Sequence, residues 1–326
     1  MKISFLIHHL EVKGGSRRII ELSNHLINRG HGVVIFCGDG SPVDWMKCEA
    51  EIKPEREVLS FTHEVLVLAN RNRYPLFKKA RALLKVFYVL LLNENEKKYL
   101  LGFHPTLILP TKKYAKWLRE IFSDKKILAL SNSTGLKDEL ESYGVNSLLL
   151  LGGINREMFY PIDRPKVFQW KILTTGDPEW WKGKDIVERA VSIARNIQPE
   201  ISIDTYYGKG ISQEKMAEVY NSADIFVDAQ LYGGWNNPVA EAMACRVPVV
   251  CADGTSVKDL AFNEKTALVV PSKDPKALAE AILRLGKDEG LRQRLIDAAF
   301  NNVIQFTWEK SAENLEKIIK DRLNKL

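Results

Sequence analysis

Short apolar runs alternate along the chain with stretches whose apolar positions recur at helical spacing, the pattern of parallel strands joined by helices. Residues 2–9 form a β-like run that ends at Gly14 and Gly15. Ser16 then opens a helical pattern carried by Ile19, Ile20, Leu22, Leu26 and Ile27, and Gly30 stops it. Residues 32–37, 65–68, 86–92, 106–109 and 127–130 are further strand candidates with helical segments between them. Together these make one Rossmann-like domain. Two prolines within residues 159–165 interrupt the pattern and mark a linker. A second α/β unit follows, with strands at 171–175, 201–206, 225–229 and 247–251 and an edge strand at 267–270. Its helical patterns fall at 183–197, 213–222, 237–245 and 275–285, and residues 291–326 are helical but broken near Phe306, Thr307 and Trp308.

Length agrees with this division, because 326 residues are too many for one ordinary core. At 45% hydrophobic and 27% charged residues the composition is that of a globular protein. The N-terminal apolar run follows a single Lys and has no small-residue cleavage site, so it reads as a first strand and not as a signal peptide. No apolar stretch approaches the roughly 20 residues of a membrane span, and the expected location is the cytoplasm. Cys37, Cys48, Cys245 and Cys251 show neither Cys-x-x-Cys nor Cys/His metal spacing, so they read as reduced and structural, with no metal expected.

Charge changes the picture in one place. Residues 1–150 hold 23 Lys and Arg against 16 Asp and Glu, an excess of 7, which leaves the rest near −1 within the total of +6. In that half Arg71, Arg73, Lys78, Lys79, Arg81 and Lys85 run without an intervening acid, interleaved with Tyr74, Phe77, Leu83, Leu84 and Phe87. Such a segment can seat on an anionic membrane face or an acidic acceptor; the plainer reading is a solvated helix face packed on the sheet. Nucleic acid is disfavoured, since no base-reading motif accompanies the charge.

The most specific stretch is LYGGWNNPVAEAMAC, residues 231–245. It follows a strand, holds Gly233 and Gly234, and leads through Trp235, Asn236 and Asn237 into a helix with Pro238 in its first turn. Backbone N–H groups and the positive helix end at such a turn suit a diphosphate. Glu241, one turn on, can accept hydrogen bonds from ribose hydroxyls, or be an ordinary acid near a helix N-terminus. The second stretch, TGDPEWWKGKD at residues 175–185, also lies between a strand and a helix. Lys182 there can reach phosphate oxygens and neutralise charge on a leaving group.

With these motifs the chain resembles the retaining transferases of glycosyltransferase family 4. The likeness also rests on Gly14 and Gly15 with the helix after them, RGHGV at 29–33, LGGI at 151–154 before FYP at 159–161, and Lys182 with Gly183. YNSADIFV at 220–227, EAMAC at 241–245 before PVV at 248–250, and ALVVP at 267–271 complete it. It implies an α/β GT-B fold: two Rossmann-like domains facing across a cleft, with a C-terminal helix that crosses back to the first. The corresponding division is 1–160 for the acceptor, 161–305 for the nucleotide-sugar and 306–326 for the returning helix. By the same resemblance Lys182 contacts the donor diphosphate, Glu241 the ribose, and the Asn236 and Asn237 amides the phosphate. Gly14 and Gly15 let the first loop approach the diphosphate, while Gly210, Ile211 and Ser212, with the nearby loop from Tyr207, line the base.

Three departures from the family pattern stand out. Gly233 occupies the position, eight before Glu241, where the family places a sugar-contacting glutamate. Gly176 and Asp177 stand where an arginine is usual, and Asn93, Glu94, Asn95 and Glu96 follow the strand at 86–92, where many members carry a histidine. Asn93, Glu94 or Glu96 can orient acceptor or sugar, or lie in a solvated turn, and His104 or the His8 and His9 pair can approach from strand-end loops. Losing one charged transition-state contact costs on the order of 3 kcal/mol.

The expected activity is therefore a nucleotide-sugar-dependent hexosyl or related transfer, with retention, from a UDP- or GDP-sugar to a glycan or lipid-linked acceptor. The alternative is a catalytically weak sugar-nucleotide-binding or partner subunit. No cofactor and no metal are expected, because no Asp-x-Asp motif is present. The basic segment adds an expected peripheral contact with the inner membrane face.

Overall fold

The computed structural model describes residues 1–92, 109–163 and 167–326, with side chains described for all of these except 109–115. Asn93, Glu94, Asn95, Glu96 and His104 lie outside the described residues. So do positions 106–108 of the expected strand, and Leu109 opens a helix.

Two compact units divide the chain. One comprises Met1–Gly153 with Trp308–Leu326, the other Ile154–Thr307. The proline-marked stretch at 159–165, where the sequence suggests a linker, falls within the second unit. Phe159 is buried against Tyr220, and the Ile162 amide donates to Asn221 Oδ1 at 2.8 Å.

The first unit is built on a seven-stranded parallel sheet: β1 Lys2–Ile7, β2 Gly32–Cys37, β3 Glu51–Lys53, β4 Thr62–Leu68, β5 Arg81–Val89, β6 Ile127–Ser131 and β7 Leu148–Leu149. Its order is β3-β2-β1-β4-β5-β6-β7, so the direction of winding reverses between β1 and β4. Helices α1 Gly14–Asn28, α2 Tyr74–Lys79, α3 Leu109–Ser123 and α4 Thr134–Ser142 accompany it. The basic segment is not one helix face. It runs through a 3₁₀ turn at Arg71–Arg73, α2 and the first half of β5, where register with β4 (His63 beside Ala82, Val65 beside Leu84) makes it a strand.

In the second unit β8 Lys171–Thr174, β9 Ser202–Thr205, β10 Ile225–Asp228, β11 Val249–Ala252 and β12 Leu268–Val270 form a parallel sheet of order β12-β11-β10-β8-β9. Winding reverses here between β8 and β10, the point where doubly wound sheets open a binding crevice at their carboxyl ends. α5 Lys184–Arg195, α6 Met216–Asn221, α7 Asn237–Ala244, α8 Pro275–Lys287 and α9 Glu289–Val303 accompany this sheet. Ile172, Val187, Ala190, Val227, Val250, Leu278 and Ile282 fill the core on one face of the sheet.

The final helix, α10 Trp308–Leu323, packs in the first unit: Trp308, Ala312, Leu315 and Ile319 join the core around Phe5, Ile19 and Leu22. Its first residue covers Arg18 of α1. That guanidinium is buried, lies 5.3 Å from the Trp308 ring centre and donates to the Tyr88 hydroxyl at 2.7 Å.

Candidate donor site

The two strands at the switch point of the second sheet carry the two stretches that stood out in the sequence. β8 runs into the loop holding Lys182, and β10 into the loop that leads to α7. A backbone bond from the Leu231 amide to Trp181 O, 2.8 Å, ties these loops together. Gly183 makes the close approach possible: its φ is 70°, and a Cβ there would stand 2.1 Å from Ala229 O. Gly176, also at positive φ, likewise abuts Thr205, where a Cβ would lie 2.5 Å from the Thr205 Cβ.

Lys182 is thereby brought over the end of β10. Its Nζ donates to Gln230 Oε1 at 2.6 Å and sits 4.3 Å from the centre of the Trp181 ring. Burial lowers the pKa of this ammonium, opposed by the negative charges of Asp228, Asp177 and Glu179. Asp228, the last residue of β10, is buried, and burial raises its pKa against the pull of Lys182 and a hydrogen bond from Asn236. The Trp181 face turned to Tyr232 stacks on it at 5.3 Å, and Trp180 closes the group edge-on.

Asn236 caps α7. Its Oδ1 accepts from the Val239 amide at 3.1 Å and its Nδ2 donates to Asp228 Oδ2 at 2.9 Å. The Asn236 backbone amide donates to Ser256 O at 3.2 Å, which corrects the expectation that it faces phosphate. Val239 is capped, Ala240 N bonds to Asn236 O and Pro238 has no N–H. The Asn237 amide is thus the first-turn donor left without an acceptor among the described residues. Trp235 is likewise a core residue on its side-chain side, packed against Phe306 at 5.0 Å between ring centres; Gly234 is buried beside it.

Glu241 lies one turn into α7 and is 5% exposed. Its Oε2 accepts from the Tyr220 hydroxyl at 2.7 Å, and the Tyr206 and Tyr220 hydroxyls are 2.9 Å apart. This fixes the carboxylate from below. Tyr207 is 53% exposed in the loop after β9. Gly208 and Gly210, both at positive φ, have nothing within 4 Å of the space a Cβ would fill, and Ile211 is half-buried. Gly14 and Gly15 open α1 in the other unit, where a Cβ on Gly15 would come 3.2 Å from Leu90 Cδ1.

Lys182, Asn236, Asn237 and Glu241 therefore gather at one sheet end, with Asp228 and Gln230 beneath them. The signal for Asp228 and Gln230 was in the sequence: an acid and an amide close a strand that is otherwise apolar, IFVDAQ. Such polar groups are buried only when partnered. Among the described residues no cluster of His, Cys, Asp and Glu could hold a metal ion.

Residues 188–302 match the family model described as glycosyl transferases group 1. Over 99 residues, 30% of this chain and 26% of the relative, the sequence is 31% identical to O-antigen chain mannosyltransferase B of Escherichia coli; the match thus spans about a quarter of that protein. Two solved structures align over the full length of both chains: sucrose-phosphate synthase from Thermosynechococcus elongatus, TM-score 0.78 at 16% identity, and Anabaena HepE in complex with UDP-glucose, 0.71 at 14%. Likeness at that identity is a statement of fold, and the fold is the α/β GT-B fold of glycosyltransferases.

Proposed function

We propose that the chain is a glycosyltransferase that moves a sugar, with retention, from a nucleoside-diphosphate sugar to a glycan or lipid-linked acceptor. One observation carries the reading: Lys182, the capped start of α7 and Glu241 meet at the carboxyl end of one parallel sheet, at its switch point. The ammonium and the Asn237 amide suit a diphosphate, and the buried carboxylate of Glu241 suits a pair of ribose hydroxyls. Transfer needs a stabilised leaving group and an oriented acceptor more than a strong protein base. The family-model match supports glycosyl transfer, the O-antigen relative supports a glycan acceptor, and the HepE complex makes UDP the first nucleotide to try.

Lys182 and Glu241 are the residues assigned to the reaction. Asn93 stays a proposed orienting residue, and Gly210 and Ile211 proposed neighbours of the base. Gly14 and Gly15 remain the proposed contribution of the first unit to the diphosphate. A catalytically weak, sugar-nucleotide-binding subunit is the second reading, favoured by the lack of a carboxylate at Gly233.

A thermal-shift panel of UDP, GDP, ADP, CDP and dTDP and their sugar conjugates tests the first reading. A ligand at about 100 times its Kd adds roughly 2.7 kcal/mol. The expected result is stabilisation by one nucleotide, lost in Glu241→Ala, with donor turnover falling on the order of 100-fold in Lys182→Ala. Binding without turnover over a broad acceptor panel would establish the subunit reading instead.

A further inference from the structure

Gln230 occupies an unusual position for a side chain with no assigned part in the donor site. It is 5% exposed, its backbone amide donates to Asp228 Oδ2 at 3.3 Å, and its Oε1 receives the Lys182 ammonium at 2.6 Å. Its Nε2 lies over Gly233, only 2.3 Å from where a Cβ on that glycine would stand. Gly233 is not among the glycines at positive φ, so backbone conformation does not demand glycine there. Space for the Gln230 amide does.

The identity of the partner matters as much as its place. A half-buried ammonium, partly withdrawn from water, is held in place by an acceptor. A carboxylate at 230 would satisfy it and also cancel the charge that a diphosphate is to meet; a neutral amide satisfies it and leaves the charge in place. The one acid directly beneath, Asp228, has its Oδ2 occupied by Asn236 Nδ2 and the Gln230 amide, and no bond joins it to Lys182.

Resting on the donor-site reading above, we propose that Gln230 is the positioning residue of Lys182, holding its ammonium without neutralising it, and that Gly233 is glycine to make room for that amide. A Cβ at 233 clashes only with the far end of Gln230, while Ser256 Cβ stands at an ordinary contact distance of 3.5 Å, so the substitution displaces the amide and leaves the backbone in place. Substitution at either position therefore acts on the ligand through Lys182.

The test is a double-mutant cycle read by calorimetry as the Kd for whichever of UDP, GDP, ADP, CDP and dTDP binds the wild type best, with the melting temperature of each variant as a check of folding. Gln230→Ala should weaken that nucleotide on the order of 10-fold in the wild-type background and less than about 2-fold in Lys182→Ala. Gly233→Ala should match Gln230→Ala, and the two together should be no worse than either. Gln230→Glu should also weaken binding on the order of 10-fold while its melting temperature holds, because the pair forms but is neutral. Equal effects of Gln230→Ala with and without Lys182, or wild-type affinity in Gln230→Glu, overturn the proposal and leave the donor site standing. Failure of UDP, GDP, ADP, CDP and dTDP alike to bind the wild type, or wild-type affinity in Lys182→Ala, overturns the donor-site reading and this proposal with it.

Discussion

Tyr220 shows how one residue sets up another. Its phenol is fully buried between the Tyr206 hydroxyl and Glu241 Oε2, and burial together with the Glu241 charge pushes its pKa well above the usual 10. The protonated phenol donates to Glu241 Oε2 at 2.7 Å. Tyr220→Phe keeps the ring that packs on Phe159 and Phe226 and removes only the oxygen. A buried carboxylate oxygen then loses a donor, at a cost of about 1–2 kcal/mol, and Tm should fall by roughly 2–8 °C. Nucleotide affinity should fall with it if Glu241 holds the ribose; differential scanning calorimetry and UDP titration of the same preparation check both. Glu241 and Lys182 were legible as residues because each follows a glycine-bearing turn after a strand. Asp228 and Gln230 also stand out as polar residues closing an apolar strand, but the pairing was not legible: Tyr220, Gln230 and Asp228 are separated from Glu241 and Lys182 by 21, 48 and 46 positions, and no local pattern pairs residues at such distances. The Asn236 amide was misjudged for the same reason, since its acceptor, Ser256 O, comes from the loop after β11.

Elements were most legible where a buried parallel strand writes an uninterrupted apolar run. FLI in β1, VVIFC in β2 and IFV in β10 gave strands within a residue or two of those observed. β5 was half hidden, because its first five residues, RALLK, begin and end on a cation and expose Leu83, and only register with β4 makes them a strand. β3 and β7, three and two residues long, carry too little pattern to be read at all. α10 was visible as a helix, but what seats it was not. Glu316 on α10 receives Arg29 Nε at 2.7 Å, lies 3.4 Å from His31 Nε2 and pairs with Lys320. These donors hold its carboxyl down to about 2 from a usual value of 4.5. A carboxyl lowered on folding stabilises at pH values above the unfolded value, and that contribution fades as pH falls from about 5 towards 2. Glu316→Gln should thus cost about 1 kcal/mol near pH 7, a Tm lower by roughly 2–4 °C, and almost nothing near pH 2. Melting curves across that range check it, and an equal loss at both ends would rule out the charge as the seat of the helix.

At the scale of the whole molecule the charge is lopsided, with an excess of 7 positive charges in residues 1–150 and none in the remainder. Among the described residues no helix is long and apolar enough to cross a membrane. Not all of the basic segment is available for lipid contact. Arg73 is tied to Glu55 and His8, Lys78 to Glu120 at 2.9 Å, and Lys85 is half-buried, donating to Lys78 O at 3.0 Å while burial lowers its pKa. Tyr74, Phe77, Leu84 and Phe87 point into the core, so the aromatic interleaving that suggested an amphipathic surface belongs to packing instead. What faces solvent is smaller: Lys79 and Arg81 beside Leu83, which is 63% exposed, with Lys78 at the edge. Two or three cations at about 1 kcal/mol each give weak, salt-sensitive attachment. The membrane contact expected from the sequence therefore has a sharp form. The protein should sediment with vesicles rich in phosphatidylserine at low ionic strength and release near 0.5 M salt, where the Debye length falls to roughly 4 Å. Lys79→Glu with Arg81→Glu should abolish sedimentation while nucleotide binding by the second unit is unchanged. If the double variant still sediments, the excess charge acts as a diffuse field over the first unit and this patch is an ordinary solvated surface.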